Sequence, residues 1–219
     1  MGRLFLLVAC CALVAAGCSG EPVEQARTLS TPTGAVADWL GAVAAGDVAA
    51  IATATEAANV ALVAAAENRF TVDQLAAVAE SGLPHATASS YWATFGDGFA
   101  DFLGVSLDAV SVNDAERFQV GEEEFAAVTI GVDDATTEVI THLTSEGWKV
   151  DLVATSGPTL AVQIRRLVTE MAGHADQDMA RIYVLTAARS LDAAHVRAPN
   201  RALELELDAI EELSLAGDG

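Results

Sequence analysis

The sequence predicts an α+β fold in which an antiparallel β-meander curves around N-terminal helices, in a cone-like arrangement, and is followed by a C-terminal helical extension. Residues 110–154 alternate between apolar and polar side chains, which is typical of half-buried strands. Apolar residues recur at helical spacing on both sides of that stretch. The connections between the strands are too short for crossovers, which indicates antiparallel neighbours.

Four strands are predicted, of which the first is the weakest. The turns between them include Ser145-Glu146-Gly147, where glycine tolerates the positive φ of a tight hairpin. The strands are placed at about Val110–Val120, Phe125–Val132, Thr137–Thr144 and Trp148–Ala154.

The first residues have the pattern of a bacterial lipoprotein signal. A positive start at Arg3 precedes an apolar run, Leu4–Ala16, that is too short to span a membrane comfortably. The small residues before Cys18 resemble a lipobox, which implies cleavage after residue 17 and diacylation of the Cys18 thiol. The alternative is an ordinary secretory signal in which Cys18 is incidental. Residues 18–32, polar and proline-containing, are then a tether.

The positions of the cysteines and the net charge exclude several kinds of site and one class of partner. All three cysteines lie in the first 18 residues, so no disulfide, cysteine metal site or cysteine nucleophile is expected in the body. The net charge of −20 argues against nucleic acid as a partner, because phosphates repel an acidic surface. We therefore expect attachment to the extracytoplasmic side of the cell membrane through acyl chains on Cys18.

Three helices are predicted between the tether and the aromatic helix described next. The first carries an amphipathic pattern and ends at Gly46, with Asp47 as the next cap. The second is predicted as one apolar helix over Val48–Glu67, and a short third begins at a Thr71 cap.

A helix from His85 to about Leu103 carries the most aromatic face of the chain. Such a stripe is more often core than ligand site, and the alternative is the wall of an apolar pocket. On the second interpretation, the predicted pocket residues are Tyr91, Trp92, Phe95, Phe99, Phe102 and Trp148.

Ser156-Gly157-Pro158 is predicted as a boundary between a domain over residues 33–155 and a helical extension over residues 158–215. Three amphipathic helices are expected in the extension, the last opened by Pro199-Asn200. This extension is a candidate surface for a protein partner, as an alternative to a ligand bound in the cone.

Two short patterns together resemble a known superfamily. Gly46-Asp47 follows the first helix, and Gly147-Trp148-Lys149-Val150 lies near the last strand. This combination is similar to the nuclear-transport-factor-two-like superfamily, whose cone-shaped α+β fold wraps a curved sheet around helices. The resemblance covers about Thr33 to Ala154 and implies either a non-catalytic binding domain or an isomerase, dehydratase or cyclase. Family enzymes place an Asp, His or Tyr inside the cone as acid or base.

Few residues are candidates for chemistry. His142 and Glu138 share one strand face, four residues apart and about 13 Å at standard rise, so they are not a close pair. Asp97 and Asp101 share a helix face and are either a proton-sharing pair or solvated carboxylates. No catalytic residue is assigned.

Metal and cofactor signals are weak. Glu170, His174 and Asp178 would align as ligands only if one helix continued through Gly173. The phosphate-loop, nucleophile-elbow and zinc-protease patterns do not occur. No metal and no cofactor is predicted.

The predicted function is a membrane-anchored lipoprotein whose domain binds an apolar small molecule, a lipid or a protein partner without catalysis. Three alternatives remain open. One is an isomerase or lyase that uses a buried carboxylate or His. Another is a structural protein of the cell envelope. The last is an all-helical body, in which the meander would be wrong.

Overall fold

The computed structural model describes residues 31–132, 135–171 and 177–216, with the backbone alone for residues 177–180 and 214–216. The predicted signal peptide, Cys18 and most of the tether lie outside this part, as do Asp133, Asp134 and His174. No helix in the described part is long and apolar enough to cross a membrane.

The described part is an α+β structure with eight α-helices and four strands. The helices before the sheet are α1 (Pro32–Ala45), α2 (Val48–Ala54), α3 (Ala57–Asn68), α4 (Val72–Ser81) and α5 (His85–Leu103). The strands are β1 (Ser111–Val120), β2 (Glu123–Val132), β3 (Ala135–Thr144) and β4 (Gly147–Val150). The helices after the sheet are α6 (Leu152–Met171), α7 (Gln177–Arg197) and α8 (Arg201–Ala216).

The predicted meander is confirmed. The sheet order is β1-β2-β3-β4, and every neighbouring pair is antiparallel. Thr144 pairs with Gly147 across the last turn, and Gly147 has a φ of 112°, a conformation that favours glycine. An all-helical body is therefore wrong.

Helices cover both faces of the sheet. On the first face, Val128, Val139 and Val150 join the main apolar core, and α1 crosses all four strands. On the second face, Phe125 and Ile140 pack against Ala154 of α6 and Ala193 of α7. Strand β2 is consequently buried on both sides, from Phe125 to Val128.

The last strand is shorter than predicted. It ends at Val150, and Asp151 caps α6 by accepting a hydrogen bond from the Ala154 N–H. Helix α6 then continues through the predicted boundary, with Pro158 inside it. Burial of the residues on either side, including Leu152 and Leu160, outweighs the roughly 3 kcal/mol that an internal proline costs.

The second predicted helix is also divided. Thr55 is extended, with φ −121° and ψ 163°, and bridges Val150 in a parallel pair at the edge of β4. Its hydroxyl donates to the Ile51 carbonyl, which closes α2. Glu56 follows and occupies the N-cap position of α3.

One apolar cluster connects the helices on both sides of the sheet. The C-terminal helices contribute buried side chains to the same core as α1 and α3. Its members include Trp39, Leu62, Val139, Ile164, Leu191 and Ile210.

The outer edge of the sheet is irregular. The pairing of β1 with β2 shifts register between Val112 and Ala115. Exposed polar side chains, Asp114 and Glu116 among them, occupy this strand.

Candidate functional site

A groove of about 880 Å³ lies between α3 and α5. Its wall is the aromatic face of α5, because a spacing of four and three residues places side chains on one side of a helix. The side chains that form this wall are Tyr91, Phe95, Phe99 and Phe102. Phe70 and Leu83 also line the groove. We call this feature the aromatic groove.

Trp39 of α1 supports the wall from behind. Its ring centroid lies 5.9 Å from that of Phe95 and 5.7 Å from that of Phe99, and Trp39 is 1% exposed. Gly96 lets the two helices approach, since a Cβ there would lie 3.1 Å from a methyl group of Val43. The row of rings therefore rests on packed core.

The wall becomes more exposed toward its end. Phe95 and Phe99 are half-buried, whereas Phe102 is 71% exposed and stacks on Phe99 with ring centroids 6.3 Å apart. Apolar rings that remain accessible to solvent over a concave surface are a common mark of a binding site.

One end of the groove is polar. Glu67 and Asn68 of α3 line it beside Tyr91. Burial raises the pKa of Glu67, and its interaction with the Tyr91 hydroxyl partly offsets that rise. Burial and the Glu67 charge raise the pKa of Tyr91 above its ordinary range. The Tyr91 hydroxyl is buried and makes no hydrogen bond of normal geometry within the described residues.

The structure brings four of the six predicted pocket residues together. Trp92 turns away from the groove and is buried in the core, where it contacts Tyr91 and Phe95 edge-on. Trp148 lies elsewhere, on the first face of the sheet against Ala126, with the Arg117 guanidinium 5.2 Å above its ring. The groove thus lies between helices rather than against the sheet.

A second polar feature lies at the second face of the sheet. His142 Nδ1 is 3.0 Å from Glu56, and His142 Nε2 is 2.5 Å from Glu123. Arg189 of α7 reaches Glu123 at 2.8 Å, and Asn59 donates to Glu56 at 2.8 Å. We call these five residues the His142 network.

The electrostatics of the network favour the imidazolium form. Burial alone would lower the pKa of His142, but the hydrogen bond and charge of Glu56 more than offset this. The charge of Glu123 adds to the rise, while Arg189 opposes it, and the pKa of His142 is raised overall. The two carboxylates beside His142 therefore favour its protonated form.

Asp151 lies next to this network under α7. It is fully buried, its carboxylate accepts from the Ala154 N–H at 2.8 Å, and the Ser190 hydroxyl donates to it at 2.7 Å. Burial raises the pKa of Asp151 from 3.8 to about 6, and the nearby negative charge of Glu56 contributes to the rise.

These groups hold the fold together more than they offer chemistry. A general acid or base must present an atom to a substrate. Both nitrogens of His142 and both oxygens of Asp151 face protein groups instead.

The other candidate residues are separated. Glu138 pairs with Arg197 at 2.7 Å rather than with His142, and Asp97 and Asp101 are exposed. The side chain of Asp178, like His174, lies outside the described part. Among the described residues, no group of three His, Cys, Asp or Glu is placed to hold a metal ion.

Sequence reasoning missed Glu56 and Glu123. Glu56 had a usable signal, since it is the one charged residue in the apolar run Val48–Ala66. A carboxylate in such a run is expected to have a partner. Glu123 follows from strand alternation, which places it on the same face as Phe125.

Comparison with models of protein families, with curated proteins and with solved structures gives no match for this chain.

Proposed function

We propose that the protein is a bacterial lipoprotein, anchored through Cys18 outside the cytoplasmic membrane, that binds an apolar small molecule or lipid chain without catalysis. The observation that carries this proposal is the aromatic groove, a concave row of rings that are only partly buried. A ligand lying on these rings would remove apolar surface from water at about 25 cal/mol per Å².

The dimensions of the groove support a small ligand. Its volume of about 880 Å³ lies within the range of roughly 300–1,000 Å³ that is typical of ligand pockets. Its lining combines aromatic rings with a few polar groups at one end, which is the usual composition of such sites.

We also propose that α1–α5 and the meander form a cone-like arrangement of the nuclear-transport-factor-two-like type, which continues directly into α6. Helices that precede an antiparallel meander, with α1 across its first face, support this proposal. The packing of α7 on the second face would be an addition to the family pattern.

The anchor remains a proposal from the first 18 residues. We expect cells grown with labelled palmitate to label the protein, and Cys18→Ser to remove the label. Label that persists in the variant would contradict acylation at this position.

Other functions have less support. For an isomerase or lyase, the buried His142 and Asp151 would be the candidates, but protein groups occupy their polar atoms. A purely structural role does not explain why the aromatic rings of the groove remain accessible to solvent. Exposed apolar side chains on the C-terminal helices, such as Ile182 and Leu205, fit a partner surface, although isolated ones are ordinary on any protein.

Binding can be tested with the neutral fluorescent probe N-phenylnaphthylamine. We would use the soluble chain from Ser19 to Gly219, which keeps every residue that the structure describes. Phe102→Ser removes the most exposed ring of the wall, and Leu205→Ser removes an apolar side chain of α8 that is 52% exposed.

We expect the unchanged chain and Leu205→Ser to bind the probe equally. Phe102→Ser should bind about tenfold more weakly, since a buried aromatic contact contributes about 1.5 kcal/mol or more. Equal binding by all three chains, or none, would contradict the groove as the site.

A further inference from the structure

We propose that the aromatic groove selects amphiphiles whose head group is a protonated amine, and that Glu67 is the residue that recognises it. This inference rests on the proposed function of the groove and names its ligand class. It is carried by the charge and the arrangement of the groove's polar end.

The charge of the groove has one sign. Among the described residues that line it, Glu67 is the one ionisable side chain besides the Tyr91 phenol. No Lys or Arg belongs to this lining, so an anionic head group would meet a carboxylate without a compensating cation. A fatty acid or other anionic lipid is therefore the wrong partner for this site.

Among the described residues Glu67 has no ion-pair partner, and its one interaction is with Tyr91, a neutral group. Its side chain is exposed, so a head group can reach it from solvent. An ammonium group at this position would supply the missing partner through a charge-assisted hydrogen bond. Thr87, Ser90 and Thr94 of α5 also line the groove, and their side chains are small and polar.

The aromatic wall defines the rest of the ligand. From Tyr91 to Phe102 the helix rises about 16 Å, which is close to the length of an extended dodecyl chain. Aromatic faces also attract cations, so the Tyr91 ring would favour the same head group that Glu67 favours.

Three amphiphiles with the same chain and different head groups test the inference. Dodecylamine, dodecanol and dodecanoate would compete for bound N-phenylnaphthylamine on the chain from Ser19 to Gly219, near neutral pH and at physiological salt. Glu67→Gln removes the charge and keeps the shape. Asp101→Asn is the matched control, because it removes an exposed charge of α5 outside the groove.

We expect dodecylamine to compete at least about tenfold better than dodecanoate, since Glu67 accepts a charge-assisted hydrogen bond from an ammonium group and repels a carboxylate. Glu67→Gln should reduce this ratio to near one with dodecanol unaffected, and Asp101→Asn should leave it unchanged. Circular dichroism would confirm that both variants are folded.

The outcomes separate two failures. If dodecanol competes but the amine and the carboxylate compete equally, the head-group inference is wrong and the groove function stands. If the preference survives Glu67→Gln, or is lost equally in Asp101→Asn, it comes from the overall charge and the inference is also wrong. If none of the amphiphiles competes, the proposed function itself fails.

Discussion

His142 Nδ1 lies 3.0 Å from Glu56 Oε1, a contact between residues that are 86 positions apart in the chain. It joins the break between α2 and α3 to the third strand of the sheet. Through Glu123 and Arg189 the same network reaches α7. Three separate layers of the fold thus meet at one imidazole.

The raised pKa of His142 makes part of the stability depend on pH. The folded state binds this proton more tightly than the unfolded state, so the contribution is complete below the ordinary pKa of 6.5 and is lost as pH rises through the raised value. Denaturant titrations at a series of pH values should show stability falling in this window. His142→Gln should be less stable at the acidic end and lack that fall. An identical pH profile in the variant would contradict the role of the network.

Asp151 should act in a different and lower window. A carboxyl whose pKa rises from 3.8 to about 6 binds its proton more tightly in the folded state by roughly 3 kcal/mol. Stability gained by this proton is complete below pH 3.8 and is lost as pH rises to about 6. Asp151→Asn should remove that slope and keep an acceptor for the Ala154 N–H.

The matched variant for this position is Asp151→Ala. It leaves the Ala154 N–H and the Ser190 hydroxyl without their partner, so near neutral pH it should be less stable than Asp151→Asn by about 1–3 kcal/mol. Chemical denaturation of both variants would decide. Equal free energies of unfolding for the two variants would mean that the helix cap and the Ser190 contact do not contribute to stability.

Gly157 sets the distance between α6 and α7. A Cβ at this position would lie 2.9 Å from the Ala194 Cβ and 3.1 Å from Leu191 Cδ2. Gly157→Ala should therefore lower the free energy of unfolding by about 1–3 kcal/mol, and adding Ala194→Gly should restore part of it. Gly41→Ala in α1 is the control, because a Cβ at position 41 would have no neighbouring atom within 4 Å. It should be neutral or stabilising by about 0.5–1 kcal/mol.

Trp39 does not line the aromatic groove but packs behind its wall. Trp39→Ala removes the contacts with Phe95 and Phe99 and should lower the free energy of unfolding by about 3–5 kcal/mol. Phe102→Ser should change stability by no more than about 0.5 kcal/mol, because this ring is largely in water. Thermal unfolding of the two variants would distinguish the core residue Trp39 from Phe102, which only lines the groove. A large loss in Phe102→Ser would show that its ring is part of the core.

Local patterns were sufficient for the sheet and for the aromatic wall. Alternation places Val128 and Ile130 in the core, and helical spacing brings Tyr91, Phe95, Phe99 and Phe102 onto one surface. Both patterns depend on neighbours a few residues apart, which the chain displays directly. Local patterns do not locate Trp92 or Trp148, because the positions of these side chains depend on which face of the helix or strand packs against which other element.

What could not be predicted depends on contacts between distant segments. The apolar run Leu152–Ala154 fits a strand or a helix equally, and Asp151 decides the matter through a cap that also needs Ser190 from α7. The break at Thr55 likewise depends on pairing with Val150, which is remote in sequence. Glu56 reaches His142 only because of that break.

The irregular outer strand has a consequence for crowding. With the proposed lipid anchor, copies of the protein would lie close together on a membrane, and an open sheet edge invites strand-to-strand pairing. The pairing of β1 with β2 shifts register between Val112 and Ala115, and such an irregularity makes an edge strand a poorer template for further pairing. The exposed Asp114 lies in the same stretch and adds a charge that two such edges would have to bring together. The meander can thus end in a strand that is paired on one side only and still discourage fibre-like growth from it.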